Sequence, residues 1–186
     1  MGTTAEARGR QALRGITAAA AMLAVALGAP AAAQACAGAD SNPAQASSSA
    51  MRNTTLCLVN ERRSARGLPA LRHNTRLALA AKRHARDMVQ RRYFAHDSLS
   101  GEDFVARVRR TGYTTGVRWR LGENLGWGGG EMASPGALVK AWMDSPAHRN
   151  NVLGSFEEIG IALTPGAPVA GHPQAFTYAT EFGARN

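Results

Sequence analysis

The chain has 186 residues, a length typical of one ordinary domain rather than several. Its 22 Lys and Arg against 13 Asp and Glu give a formal net charge of +9. The basic residues are dispersed and are not interleaved with aromatic residues, which argues against a nucleic-acid-binding protein. Only two cysteines are present, and neither stands in a pattern typical of a metal site or a catalytic nucleophile.

Residues 1–35 are predicted to be an export signal that is removed from the mature protein. Arg8, Arg10 and Arg14 form a positive region, followed by an apolar run over 16–33. The run ends in Ala33-Gln34-Ala35, the small-x-small pattern of a signal peptidase site. The alternative is an uncleaved membrane anchor, because the run is just long enough to span a bilayer. The sequence favours cleavage, and the location expected for the mature protein is secreted or periplasmic.

The two cysteines, Cys36 and Cys57, leave two alternatives open. In an oxidising compartment they could form a disulfide that pins the N-terminal segment to the first helix. Alternatively, Cys36 carries a lipid as the first mature residue and Cys57 is a buried thiol. A lipid-attachment box usually has Leu three residues before its Cys, where this chain has Ala33. Residues 36–53 are small and polar, which predicts a flexible lead-in, with order beginning near Thr54 and one domain over 54–186.

Four helices are predicted next, in chain order, from capping residues and helical spacing of apolar residues. The first covers about Thr55–Arg66 and stops at Gly67. The second follows a cap at Asn74 or Thr75 and has His84 on its apolar face, as a core histidine. The third runs from the capping box at Ser100 to Gly112, and the fourth begins at Ser134 and Pro135 and is stopped by Pro146.

Three strands are predicted between and after these helices. They are Val117–Leu121, Ile159–Leu163 and Phe176–Phe182, each with alternating apolar residues on one face. Gly126–Gly130 is too rich in glycine to be a predicted strand, so it is interpreted as a mobile loop in which Trp127 either packs or stacks on a ligand. Helices first and strands late predict the α+β class with an antiparallel sheet.

Five segments together resemble the CAP superfamily, which groups cysteine-rich secretory proteins, antigen 5 and pathogenesis-related class 1 proteins, and in particular its bacterial SCP-like extracellular branch. The resemblance covers about Leu56 to Gly183. It implies a three-layer α-β-α sandwich around a central antiparallel sheet. The segments are Asn60-Glu61-Arg62-Arg63 with Gly67-Leu68-Pro69-Ala70-Leu71, His84 to Met88 with Tyr93 to Ser98, Gly122-Glu123-Asn124-Leu125, Trp142 to Leu153, and Ile159-Gly160-Ile161 with Tyr178 to Gly183.

The resemblance also implies a cleft formed by His96, Glu123 and His148. Two neutral imidazoles and one carboxylate could hold a divalent cation such as Zn²⁺, with His96 and His148 as the metal ligands. Without metal, the carboxylate would raise the pKa of the imidazoles and order a polar ligand. In a third interpretation, the three residues only hold loops together.

Other residues are expected to support this cleft. Asn124 should brace the loop after Glu123, Arg149 and Asn151 should tie the loop after His148 to the domain, and Ser145 should end its helix. The second cleft Glu of eukaryotic relatives is absent, since Trp142 is followed by Met143, Asp144 and Ser145. Glu181 stands where bacterial relatives commonly have Gln. It is interpreted as a surface carboxylate, with a place near the cleft as the alternative.

These observations favour a non-catalytic, monomeric module that binds a ligand in the cell envelope or outside the cell. The missing Glu and the absence of a Gly-x-Ser-x-Gly nucleophile motif argue against an enzyme. The resemblance implies lipids, glycans or protein partners as ligand classes. The alternative function is a zinc-dependent hydrolase or peptidase in which a His-bound metal activates water and Glu123 is a ligand or general base.

Overall fold

A computed structural model describes residues 36–172 and 174–186, so the predicted export signal lies outside the described residues. A short 3-10 helix at Pro43–Gln45 precedes the first α-helix, and a second at Gly130–Ala133 precedes the fourth. The α-helices are α1 (Ser48–Ser64), α2 (Thr75–Arg91), α3 (Phe104–Arg109), α4 (Pro135–Asp144) and α5 (Pro146–Val152). The strands are β1 (Arg72–His73), β2 (Trp119–Gly129), β3 (Glu158–Pro165) and β4 (Ala175–Arg185).

The four strands form one sheet in the order β1-β3-β4-β2. The long strands β2, β3 and β4 pair antiparallel, as predicted, while the two-residue β1 runs parallel to β3. Strand β4 has a partner on each edge, and β2 lies at one edge of the sheet. The candidate site is located at the edge of the sheet that β2 forms.

Helices cover both faces of this sheet, which confirms the predicted α+β sandwich. On one face, α1 and α4 pack their apolar residues against the odd-numbered positions of β3, such as Ile159 and Ile161. On the other face, α2 covers Ala162 of β3 and Ala179 of β4, and α3 packs with α2 beside Leu121 of β2. Because side chains of a strand alternate between faces, each central strand contributes to two separate cores. Within the described part of the chain, no helix is long and apolar enough to cross a membrane.

The N-terminal segment is more regular than the expected flexible lead-in over 36–53. Helix α1 begins at Ser48, and the hydroxyl of Ser47 caps it by accepting from the backbone N–H of Ala50 at 3.1 Å. A disulfide joins Cys36 to Cys57 of α1, and Cys36 is buried. This crosslink fastens the segment to the domain. Because the sulfur of Cys36 is bonded to Cys57, it is not available to carry a lipid. Of the two alternatives for Cys36, the structure has the disulfide.

The expected loop over Gly126–Gly130 is also wrong, because Gly126–Gly129 are the last residues of β2 and pair with β4. A side chain on Gly128 would meet the carbonyl oxygen of Met132 at 2.6 Å, and one on Gly126 would meet Leu138 at 2.4 Å. Glycine is therefore used here for close packing against α4 and the 3-10 helix before it, rather than for a flexible backbone.

Pro146 ends α4, as predicted, but it also starts α5 at its first position. Proline is favoured there because its missing N–H would have no partner in the first turn of a helix. The turn after α5 is fixed by the buried guanidinium of Arg63 on α1, which donates to the carbonyls of Val152, Gly154 and Phe156. Helix α5 therefore has a defined place beside β2, and it carries His148.

Candidate functional site

The centre of the candidate site is the carboxylate of Glu123 on β2. Its side chain is 1% exposed, which would be unfavourable for an isolated charge. Both oxygens are engaged: Oε1 lies 2.7 Å from Nδ1 of His96, and Oε2 accepts a hydrogen bond of 2.7 Å from Arg107. Burial alone would raise the pKa of Glu123, but the hydrogen bond from His96 and the charge of Arg107 outweigh it and lower the pKa.

His96 lies in the segment between α2 and α3, and its side chain is 53% exposed. The hydrogen bond to Glu123 raises the pKa of His96, since the bond favours the protonated imidazole. Because Nδ1 is directed to Glu123, the other ring nitrogen, Nε2, remains for contact with solvent or a ligand. His96 therefore connects a buried negative charge to the surface.

Arg107 is a member of the site that the sequence interpretation missed. It lies on α3 with a side chain that is 5% exposed, and a second guanidinium nitrogen donates to the carbonyl of Glu102 at 3.1 Å. The sequence did contain a sign that Arg107 faces inward. It lies three residues after Phe104 and next to Val108, and both of these residues were expected to face inward. A buried Arg needs hydrogen-bond acceptors, and the acidic acceptor of Arg107 is Glu123.

His148 approaches the same site from the other helical layer. Partial burial lowers the pKa of His148, and the positive charge of His96 lowers it further. The side-chain amide of Asn124 donates to the backbone carbonyl of His148 at 3.0 Å. Asn151 then donates to Asn124 at 2.8 Å and to the carbonyl of Glu123 at 3.0 Å. These amides join α5 to β2, so Asn124 connects two elements instead of bracing a loop after Glu123.

Three further residues lie around the turn between α4 and α5. Ser145 ends α4 and is the residue before α5, and no side-chain cap hydrogen bond is formed by it. Arg149 donates to the carbonyl of Met143 at 3.0 Å and so joins the two helices. Asp144 is exposed and pairs with Lys140 at 2.6 Å, whereas Glu123 is buried. Asp144 does not replace the missing second Glu.

Glu181 contradicts its interpretation as a surface carboxylate, because it is fully buried. It lies on β4 directly opposite Glu123 in the strand register. Side chains at such positions are about 5 Å apart at their Cβ atoms and on the same face of the sheet. The fold explains why Glu181 is buried. Strand β4 has another strand on each edge and helices on each face of the sheet, so side chains on both of its faces are buried.

These contacts do not fit a zinc site made from His96, Glu123 and His148. Both oxygens of Glu123 are already bound, one of them by the permanent positive charge of Arg107, which would repel a divalent cation at the same carboxylate. Over residues 36–172 and 174–186, no group of three or more His, Cys, Asp or Glu is arranged to hold a metal ion. The donor set that remains is two imidazoles, short of the three protein ligands of a catalytic zinc.

An apolar groove of about 350 Å³ adjoins His148 at the end of the sheet formed by β2. Its walls come from β2, from α4 and from the segment before His96. Phe94, at 44% exposed, opens part of an aromatic surface to solvent. Trp127 is half-buried, and its ring lies 5.1 Å from the ring of His172. The groove is lined by residues that include Phe94, Leu125, Trp127, Leu138, Trp142 and His148.

His148 lines the groove, and His96 is near enough for its charge to act on His148; the groove and these two histidines together are called the cleft below. One side has a buried negative charge, an arginine and two imidazoles. The other side has aromatic and aliphatic side chains. Among the described side chains, no serine hydroxyl is hydrogen-bonded to a histidine.

Comparison with known proteins gives matches of sequence and of fold. The chain is 34% identical over 121 residues to the uncharacterised protein YkwD of Bacillus subtilis, a match that covers 63% of this chain and 44% of YkwD. The chain therefore spans less than half the length of that relative. An extracellular protein containing an SCP domain from Bacillus anthracis has 25% identity and a TM-score of 0.55, covering 72% of this chain and 42% of that one.

A second solved structure, an outer surface protein of Borrelia burgdorferi, has a TM-score of 0.58 and 22% identity, and the match covers 69% of this chain and 88% of that one. At this identity the likeness shows the fold alone. The sequence profile of the cysteine-rich secretory protein family, CAP, matches residues 56–177, about two thirds of the chain. The resemblance noted in the sequence is confirmed, and the chain belongs to the CAP family.

Proposed function

We propose that this CAP domain is exported and acts as a non-catalytic module that binds a small amphipathic ligand in the cleft of His96 and His148. The observation that carries the proposal is the apolar groove lined by His148, together with His96, whose charge is near enough to lower the pKa of His148. The groove, at about 350 Å³, is within the usual size range of small-molecule sites. Its lining is mostly apolar, with few polar groups, as such sites generally are.

The two histidines differ in a way that supports binding of a polar head group. Contact with Glu123 favours the protonated form of His96, whereas burial and the charge of His96 favour neutral His148. One imidazolium and one neutral imidazole can together donate hydrogen bonds to a carboxylate or another acceptor. The exposed aromatic and aliphatic side chains beside them would bury the apolar part of the same ligand.

Binding without catalysis is supported by the state of Glu123. A general base must have a free oxygen within reach of the proton that it takes. Both oxygens of Glu123 are bound by His96 and Arg107, and the side chain is buried. Export is supported by the predicted signal over 1–35 and by the Cys36–Cys57 disulfide, since disulfides persist mainly in oxidising compartments.

The test is a titration of the purified protein with dodecanoate, followed by the chemical shifts of the histidine rings and of the indole of Trp127. Dodecanoate has an apolar chain for the groove and a carboxylate for the imidazoles. We expect saturable shifts at His96, His148 and Trp127, and a weaker affinity in His96→Ala and His148→Ala. The matched control is His73→Ala, an exposed histidine on β1 outside the cleft. Equal affinity in all three variants would refute binding in the cleft.

A further inference from the structure

Two acidic side chains face one another inside this domain. Glu123 on β2 and Glu181 on β4 are paired in the strand register, and both are buried beneath α2 and α3. Whereas Glu123 has two cationic partners, neither oxygen of Glu181 has a hydrogen-bond donor among the described residues. A buried carboxylate with no donor is strongly unfavourable, so the charge state of Glu181 requires an explanation.

The charged groups around the pair do not offer Glu181 a partner. Arg107 of α3 donates to Glu123 and to the carbonyl of Glu102, and its buried Nε forms no hydrogen bond with either carboxyl group. His84 of α2 has its Nε2 at 2.9 Å from the carbonyl oxygen of Ala95, and burial lowers the pKa of His84. His96 is bound to Glu123. Ionised Glu181 would therefore place a second negative charge next to the carboxylate of Glu123, with no hydrogen bond from a described residue to stabilise it.

We infer that Glu181 is an uncharged carboxylic acid at neutral pH that donates its proton to the carboxylate of Glu123. A protonated carboxyl can donate a hydrogen bond, whereas an ionised carboxylate can only accept one, so a proton on Glu181 supplies a contact that no other described residue gives it. Complete burial and the charge of Glu123 both raise the pKa of Glu181, in agreement with the geometry.

This bond makes Glu181 a positioning residue of the cleft. Glu123 then receives hydrogen bonds from three sides: from α3 through Arg107, from the solvent side through His96, and from the sheet through Glu181. Its carboxylate cannot rotate without losing one of them. The orientation of His96, which is half-exposed and contacts ligand in the proposed function, would follow from that of Glu123. The protonation state of Glu181 does not itself depend on what the cleft binds.

The direct test is carbon-13 NMR of the purified protein labelled at glutamate carboxyl groups. We expect one signal with the chemical shift of a protonated carboxyl at pH 7, and we expect Glu181→Gln to remove it. The matched control Glu131→Gln removes an exposed carboxyl and should leave that signal in place. A wild-type spectrum at pH 7 in which every glutamate carboxyl is ionised would overturn the inference, and this measurement requires no variant to fold.

A second test compares the wild type with Glu181→Gln in denaturant-induced unfolding as a function of pH. Glutamine can donate to Glu123 but never ionises. Because the pKa of Glu181 is raised in the folded state, its contribution to stability is complete below the unfolded pKa and is lost as pH rises toward the folded pKa. Glu181→Gln should therefore gain stability relative to the wild type from pH 5 to pH 8. A difference that does not change with pH would contradict the inference.

The third readout is the titration of the His96 ring. Glu181→Gln should leave its midpoint unchanged, since the amide keeps a donor on Glu123. Glu181→Leu removes the donor and should shift the pH midpoint of the His96 titration. An identical midpoint in the Leu and Gln variants would show that Glu181 only fills space and would contradict its positioning role.

Discussion

Nδ1 of His96 lies 2.7 Å from Oε1 of Glu123, and the pair crosses the boundary between solvent and protein interior. Half of the His96 side chain is exposed, whereas almost none of Glu123 is. This imidazole therefore joins the buried negative charge of Glu123 to the surface. The pH response of the cleft should follow that contact.

The first prediction concerns the titration of His96. Its pKa is raised above 6.5 by the hydrogen bond to Glu123, so the contact stabilises the fold below pH 6.5 and this contribution is lost as pH rises through the folded pKa. In NMR titrations, His96 should have its midpoint above 6.5, and Glu123→Gln should return it toward 6.5. His148, whose pKa is lowered, should titrate below 6.5 and should rise in His96→Ala. A His96 midpoint below 6.5 in the wild type would contradict the contact.

The second prediction concerns the buried ion pair of Arg107 with Glu123. Arg107→Met should reduce the free energy of unfolding by about 3–5 kcal/mol, because it leaves a buried carboxylate without its main partner. The matched control is Arg110→Met, also on the α3 side, whose ion pair with Glu102 is exposed at the arginine. Its loss should cost less than about 1 kcal/mol. Urea denaturation measures the loss of stability in each variant. Equal losses would show that the buried ion pair contributes no more to stability than the exposed one.

The third prediction separates two adjacent glycines of β2. A Cβ at position 128 would lie 2.6 Å from the backbone oxygen of Met132, which cannot move without shifting the 3-10 helix, whereas at position 129 the nearest atoms are 4.0 Å away. Gly128→Ala should therefore destabilise the domain by roughly 1–3 kcal/mol. Gly129→Ala should change stability by less than about 0.5 kcal/mol. Thermal unfolding of both variants is the measurement. Similar behaviour of the two would indicate a loop at these positions instead of a paired strand.

The fourth prediction concerns the Cys36–Cys57 disulfide. The bond closes a loop with a sequence separation of 21 residues, for which the chain-entropy argument gives about 3 kcal/mol of stabilisation. The double variant Cys36→Ser with Cys57→Ser should lose about that amount. Reducing agent should lower the unfolding midpoint of the wild type but not that of the double variant. A wild type indifferent to reduction would show that the two cysteines are not paired in solution.

The capping and spacing signals that are local in sequence predicted α2 and α4 well. The predicted capping box at Ser100 is wrong, because Asp103 caps α3 by accepting from the backbone N–H of Ala106, and α3 covers only Phe104–Arg109. Asn74 caps α2 and Ser134 with Pro135 begins α4, as expected, because a cap depends on groups within one turn. The start of α1 was placed too late. Its N-terminal residues are small and polar, and their helical structure is supported by the disulfide and by a hydrogen bond from Thr54 to the carbonyl of Ala37, contacts between segments that local composition does not reveal.

The local sequence also could not predict that the glycine-rich end of β2 is a strand, because this depends on contacts between segments. Gly126–Gly129 lack the side chains that normally indicate a strand, and the strand is formed because β4 pairs with it along its whole length. The fit of α4 and of the preceding 3-10 helix then requires glycine. Strand propensity is mainly a measure of packing against neighbours, so it fails where the neighbours need no side chain.

The sequence by itself determined the CAP family, the α+β class, the capped helices and the candidate residues His96, Glu123 and His148, because these depend on motifs and on spacing along the chain. Only the tertiary structure decided what surrounds Glu123. Arg107 comes from α3 and Glu181 from β4, and their distance in the chain from Glu123 hides the contact. A buried charge is stabilised by whichever groups the fold brings within a few ångströms, and here those groups are an arginine and a histidine that bind the carboxylate of Glu123.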